Sequence, residues 1–151
     1  MQSSILKQGL KIMICNTKLR DNKKRITQQD AITIKNGFIE AMIWQDEDLY
    51  LSDLGIHDLD YLADQLVTLT VNKFLTVCYL DDHATSELID HGFDQVGHDL
   101  CLQILGHGVG FWDQSTTKNL NILLDFCLDT GAIKPFTLYD DNSEKLKFDY
   151  F

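Results

Sequence analysis

The chain has 151 residues, 44% apolar and 24% charged, with nine glycines and one proline. That is enough for one packed domain and argues against long disordered linkers. No apolar run approaches the roughly 20 residues of a membrane helix. No apolar stretch precedes a small-residue cleavage site, so a cytoplasmic protein is expected. A net charge of −10 excludes an electrostatic grip on nucleic acid or anionic membrane.

The charge is uneven. Residues 1–25 hold seven basic side chains and one acid, whereas the remainder holds six basic and 22 acidic ones. The organisation expected is a basic N-terminal extension, 1–25, and one α+β domain, 26–151. In the extension, Leu10-Lys11-Ile12-Met13-Ile14-Cys15 is a short β-prone run. It supplies either an edge strand or a partner-binding arm.

From Gln28 to about Trp44, Ile32, Ile34, Phe38, Ile39, Met42 and Ile43 approximate one helical stripe. Thr27 or Asp30 caps it, and Gly37 weakens it. Asp46-Glu47-Asp48 opens a solvated loop. It lacks the alternating ligands and distal Glu of a calcium loop. Asp58 caps a long helix with Leu59, Leu62, Leu66, Leu69, Phe74 and Val77 at helical spacing. His83 to His91 forms a short helix closed by Gly92.

The stretch from Gly97 to Asp113, GHDLCLQILGHGVGFWD, alternates apolar and polar residues about Gly106. That pattern predicts an antiparallel hairpin over 99–112. Its loop is either Leu105-Gly106 or Gly106-His107. Leu100, Leu102, Ile104, Val109 and Phe111 would share the buried face. Gly108, Gly110 and Trp112 would form a shallow trough on the other. His98 and His107 would lie roughly 20 Å apart along the ladder, too far to share a metal ion. His98 opposite Asp113 reads as a polar clasp.

After Asp113, Ser115 or Thr116 caps a helix reaching Thr130-Gly131, with Leu120, Leu123, Leu124, Cys127 and Leu128 as its buried stripe. Asp140-Asp141-Asn142-Ser143 turns a second hairpin over 136–149. The expected fold is therefore α+β. An antiparallel sheet, built of the central and C-terminal hairpins, is covered by the N-terminal and middle helices.

Gly97-His98-Asp99, followed by Gly106-His107-Gly108-x-Gly110-Phe111-Trp112-Asp113, resembles a family of small tailed-phage proteins. Its members read G-H-D-F-W-L-T-R-N-G-H-G-A-G-F-W-D. The likeness extends over most of Ile34 to Tyr150, including Phe38-Ile39-Glu40-Ala41-Met42-Ile43-Trp44. Leu105 stands where the family has Asn, and Gln103 and Ile104 replace its Thr and Arg. The resemblance implies a phage or mobile-element origin rather than a particular reaction.

No P-loop, nucleophile elbow or H-E-x-x-H occurs. Cys15, Cys78, Cys101 and Cys127 are irregularly spaced, without zinc-type pairing, and read as buried small hydrophobes. No metal or cofactor is expected. Gly108, Gly110, Trp112, Asp46, Glu47 and Asp48 are the candidate binding residues. His98, Asp99, Gly106, His107 and Asp113 are expected to hold the fold. The expected function is non-catalytic binding of a host protein with a basic surface, as in inhibition of a CRISPR effector or restriction enzyme. The alternative is a metal- or histidine-dependent hydrolase using His98, Asp99 and Asp113, with His107 as a further member.

Overall fold

A computed structural model describes residues 26–107 and 110–151. The N-terminal extension and its β-prone run lie outside the described residues.

The first helix, α1, runs Gln28–Trp44. Thr27 Oγ1 accepts from the Asp30 N–H at 3.1 Å, and the Thr27 N–H donates to Asp30 Oδ2 at 2.9 Å. Two of the donors that a helix start leaves unpaired are thereby satisfied reciprocally. Ala31, Ile34, Phe38, Ile39 and Met42 face the core, whereas Ile32 faces out.

The expected acidic loop is instead a short helix, α2, over Glu47–Leu51. Its cap is Asp46, whose Oδ1 accepts from the N–H groups of Asp48 and Leu49. Asp46 is thus tied up by backbone, while Glu47 and Asp48 remain exposed.

The long helix, α3, spans Tyr61–Tyr79 and is capped by Asp60 rather than Asp58. Asp58 instead accepts from the Gly55 N–H at 2.7 Å. The extended residues 58–60 bond to Leu146 through both its N–H and its carbonyl. The buried face of α3 is Ala63, Val67, Thr70, Val71, Phe74, Leu75 and Cys78; Leu62 and Leu69 are exposed. The buried face runs from small residues such as Ala63 to large ones such as Phe74, and the leucine stripe is only partly the core. α4 follows as Asp82–His91, ending at Gly92 with φ 93°, a conformation that favours glycine.

The predicted central hairpin is overturned. Phe93–Leu105 is a single helix, α5. Val96, Gly97, Leu100, Cys101 and Ile104 are buried while Leu102 is only partly so, a 3.6-residue rather than a two-residue period. Gly106, read as a hairpin turn, is the left-handed end of this helix (φ 73°, ψ 32°). The N–H of His107 returns to the Leu102 carbonyl at 3.0 Å, the closing bond of a glycine-terminated helix.

What holds α5 is its crossing with α1, the most extensively packed helix pair in the fold. A Cβ on Gly97 would collide with the Ile34 carbonyl oxygen, and one on Gly37 with the Asp94 carbonyl oxygen. The two glycines let the helix backbones touch, so the residue that weakens α1 locally is required by its packing.

Two 3₁₀ turns, Phe111–Asp113 and Ser115–Thr117, lead into α6, Lys118–Asp129. Neither Ser115 nor Thr116 caps it. The Glu87 carboxylate on α4 accepts from the N–H groups of Asn119 and Leu120. Strands β1 (Phe136–Asp140) and β2 (Leu146–Tyr150) then pair antiparallel, with Leu138 opposite Phe148. The class is α+β, but among the described residues the sheet has only these two strands. Phe136 joins it to the core, stacking on Phe38 at 5.9 Å. No helix among the described residues is long and apolar enough to cross a membrane.

Candidate functional site

The glycine-rich motif spans the second half of α5 and the loop behind it. Two of its polar residues, Asp99 and Gln103, turn inward. Asp99 sits on the buried face of α5, and its Oδ2 lies 2.6 Å from Nε2 of His91 at the end of α4. The two side chains are 6% and 8% exposed. With Asp99 ionised, the imidazole donates, since a carboxylate only accepts. Gln95 donates to Asp99 Oδ1 at 3.1 Å, and Gln114 donates to Oδ2 at 3.2 Å. One buried carboxylate therefore ties together two helices and the loop.

Gln103, one turn further along α5, makes a second anchor. Its Oε1 accepts from the Phe111 N–H at 2.9 Å, and its Nε2 donates to Asn121 and Asp125 of α6. Thr117 Oγ1 closes the loop by donating to the Phe111 carbonyl at 2.6 Å. Phe111 is buried, stacked on Phe74 at 5.6 Å and met edge-on by His91. Gly110 has φ 149°, and a Cβ there would lie 2.8 Å from Gln103. The predicted open trough is absent at Gly110: the residue is buried under Gln103. Gly108 lies outside the described residues.

The expected structural residues divide into two groups. Asp99 and Gly106 hold the fold, though as a buried acceptor and a helix end. His98 points to the outer side of α5, with Nε2 3.7 Å from Glu40 of α1, and His107 is exposed beyond the helix end. The clasp between His98 and Asp113 required the hairpin and loses its basis with it; the Asp113 side chain lies outside the described residues. His98 and Asp99 diverge because successive helix positions turn by about 100°. Among the described residues, no group of three or more His, Cys, Asp or Glu side chains could hold a metal ion. Cys78 and Cys101 are fully buried, and burial pushes both thiols well above their ordinary range.

Large apolar side chains are exposed at many points of the surface, Tyr61, Leu62, Leu80, Phe126 and Phe151 among them; two groups adjoin residues singled out in the sequence. On the loop, Trp112 is 53% exposed beside a cavity of about 300 Å³ lined by Phe111, Gln114, Ser115, Lys118 and Asn121. At the α1–α2 corner, Trp44, Tyr50 and Leu51 are 67%, 63% and 68% exposed around Glu47 and Asp48. The sequence reading singled out Trp112, Glu47 and Asp48 but missed Trp44, Tyr50, Leu51 and His91. A solvated loop was expected after Trp44, and nothing in it marked apolar side chains facing water.

Comparison with models of protein families, with characterised proteins and with solved structures gives no match to this chain.

Proposed function

We propose that this protein acts by binding another protein, as an accessory protein of a phage or related mobile element, and that the partner presents a basic surface. The specific form favoured is inhibition of a host defence complex of the CRISPR or restriction type, in the host cytoplasm. The motif's likeness to a phage family supports the origin. The observation that carries the binding reading is the α1–α2 corner, where Trp44, Tyr50 and Leu51 stand about two-thirds exposed beside Glu47 and Asp48. Aromatic side chains with a charged rim are the usual anchors of protein interfaces. The body beyond residue 25, with 22 acids against six bases, would speed encounter with a basic partner.

The hydrolase alternative has less support. Asp99 is committed to three side chains and its imidazole partner is buried, while His98 faces away from it. A reaction needs these groups to converge on one accessible atom.

Affinity capture from host lysate tests the reading. Wild type should retain a specific protein at 50 mM salt and lose it at 0.5 M. Trp44→Ala and the pair Glu47→Lys, Asp48→Lys should each abolish retention. Equal retention by all three proteins, or retention indifferent to salt, would contradict it.

A further inference from the structure

The cavity beside Trp112 has a lysine on its wall. Among the described side chains that line it, Lys118 is the formal charge and none is a carboxylate. Lys35 and Lys147 are held by Asp64 and Asp141, and Lys73 donates to the Ala132 carbonyl, whereas Lys118, like Lys134 and Lys145, has no ion-pair partner among the described residues. A lysine at the wall of a cavity on an otherwise acidic protein offers a cation to an anion. Trp112 contributes a half-exposed indole at the same cavity, and Ser115, Gln114 and Asn121 contribute neutral hydrogen-bonding groups.

The walls are held in advance. The Phe111 backbone is fixed on both sides, its N–H by Gln103 and its carbonyl by Thr117. Gln114 is tied to Asp99, and Asn121 to Gln103. A site whose walls are already ordered loses less entropy on binding. At about 300 Å³ it stands at the small end of ligand pockets, which run from about 300 to 1,000 Å³.

We propose that this cavity binds a small molecule built of one flat aromatic ring carrying one acidic group, phosphate or carboxylate. The ring lies on Trp112 and the acid meets Lys118. The surrounding negative charge disfavours polyanions such as nucleic acid, which limits the ligand to a compact one.

Trp44→Phe in the full chain leaves Trp112 as the single tryptophan, so its fluorescence reports the cavity. Adenosine 5′-monophosphate and benzoate, neither of which emits in the tryptophan range, probe the phosphate and carboxylate forms. Adenosine and inorganic phosphate supply the ring and the acid separately. At least one of the first two should quench Trp112 saturably, at least tenfold more tightly than either separate half. Lys118→Ala should weaken that binding about tenfold, a loss consistent with one charge-assisted contact. Amide resonances of Ser115 and Asn121 should shift on titration. Trp112→Phe, which leaves only Trp44 reporting, should show no saturable quenching.

Lys118 is exposed, so its removal tests the site without threatening the fold. The proposal is overturned by failure of both probes, by adenosine binding as tightly as its monophosphate, or by unchanged or tighter binding in Lys118→Ala. Equal quenching of Trp44, which would mark indiscriminate stacking, also overturns it.

Discussion

His91 Nε2 lies 2.6 Å from Asp99 Oδ2, with both side chains more than nine-tenths buried. The pair links the end of α4 to the middle of α5 and, through Gln114, to the loop that carries Trp112. Asp99→Ala leaves His91, Gln95 and Gln114 without their acceptor. The expected loss is about 3 kcal/mol, the lower end for removing one partner of a buried pair. His98→Ala, by contrast, removes an exposed contact 3.7 Å long and should cost less than about 0.5 kcal/mol. Urea denaturation of the two variants measures both. A larger loss for His98→Ala would contradict the assignment.

Gly97→Ala is the test of the α1–α5 crossing. In an exposed helix interior this change stabilises by about 1 kcal/mol. Here the added Cβ meets the Ile34 carbonyl and the Phe38 N–H, so the helices must separate along their closest contact. A loss of about 3 kcal/mol or failure to fold is expected, by the mechanism of overpacking. A variant with unchanged or raised Tm would mean that α5 does not lie on α1 in this way.

Asp141 and Lys147, 2.7 Å apart at the open turn of the β-hairpin, give a pH signature. Hydrogen bonds from Lys147, and after it from Ser143, lower the Asp141 pKa from 3.8 to about 2, and Asp141 raises that of Lys147 above 10.5. A lowered carboxylate contributes stability above its unfolded value and loses it as pH falls through the folded one. A raised lysine contributes below its unfolded value and loses it as pH rises through the folded one. The Tm deficit of Asp141→Asn should therefore be constant from about pH 5 to 9, shrink between pH 3.8 and 2, and shrink again above 10.5. A deficit that persists at pH 2 would contradict the ion pair.

The thiols should separate by burial. Cys78, Cys101 and Cys127 are buried, and desolvation raises all three, which suppresses the reactive thiolate. With Ellman's reagent at pH 8, these three of the four cysteines should react only on unfolding. Rapid modification of more than one thiol in the native protein would contradict this packing.

α1, α4 and the C-terminal hairpin were legible because their signals are local. Thr27 with Asp30, Gly92, and the turn cluster after Asp140 each act within a few residues. α5 was misread because its information is not local. Leu100, Leu102 and Ile104 alternate as a strand would, and Gly106 supplies the positive φ that suits both a hairpin turn and a helix end. What decides between them is Gly97 against Gly37, sixty positions apart in sequence, which no window around residue 100 contains. The site failed to emerge for the same reason. His91 and Asp99 meet only if both segments are helical and Gly92 turns the chain at φ 93°. A hairpin over 99–112 keeps Asp99 beside His98 and away from His91.

Asp99 and Gln103 of the motif fix the loop that displays Trp112. Hydrogen exchange of the Phe111 amide reads this directly, because that N–H is buried and donates to Gln103 Oε1 at 2.9 Å. The amide should exchange within about tenfold of the Leu100 amide inside α5, as expected when both open only with the global fold, and should lose that protection in Gln103→Ala. Exchange of Phe111 in the wild type as fast as that of the exposed turn at Ser143 would show the loop to be unpinned, and would contradict the claim.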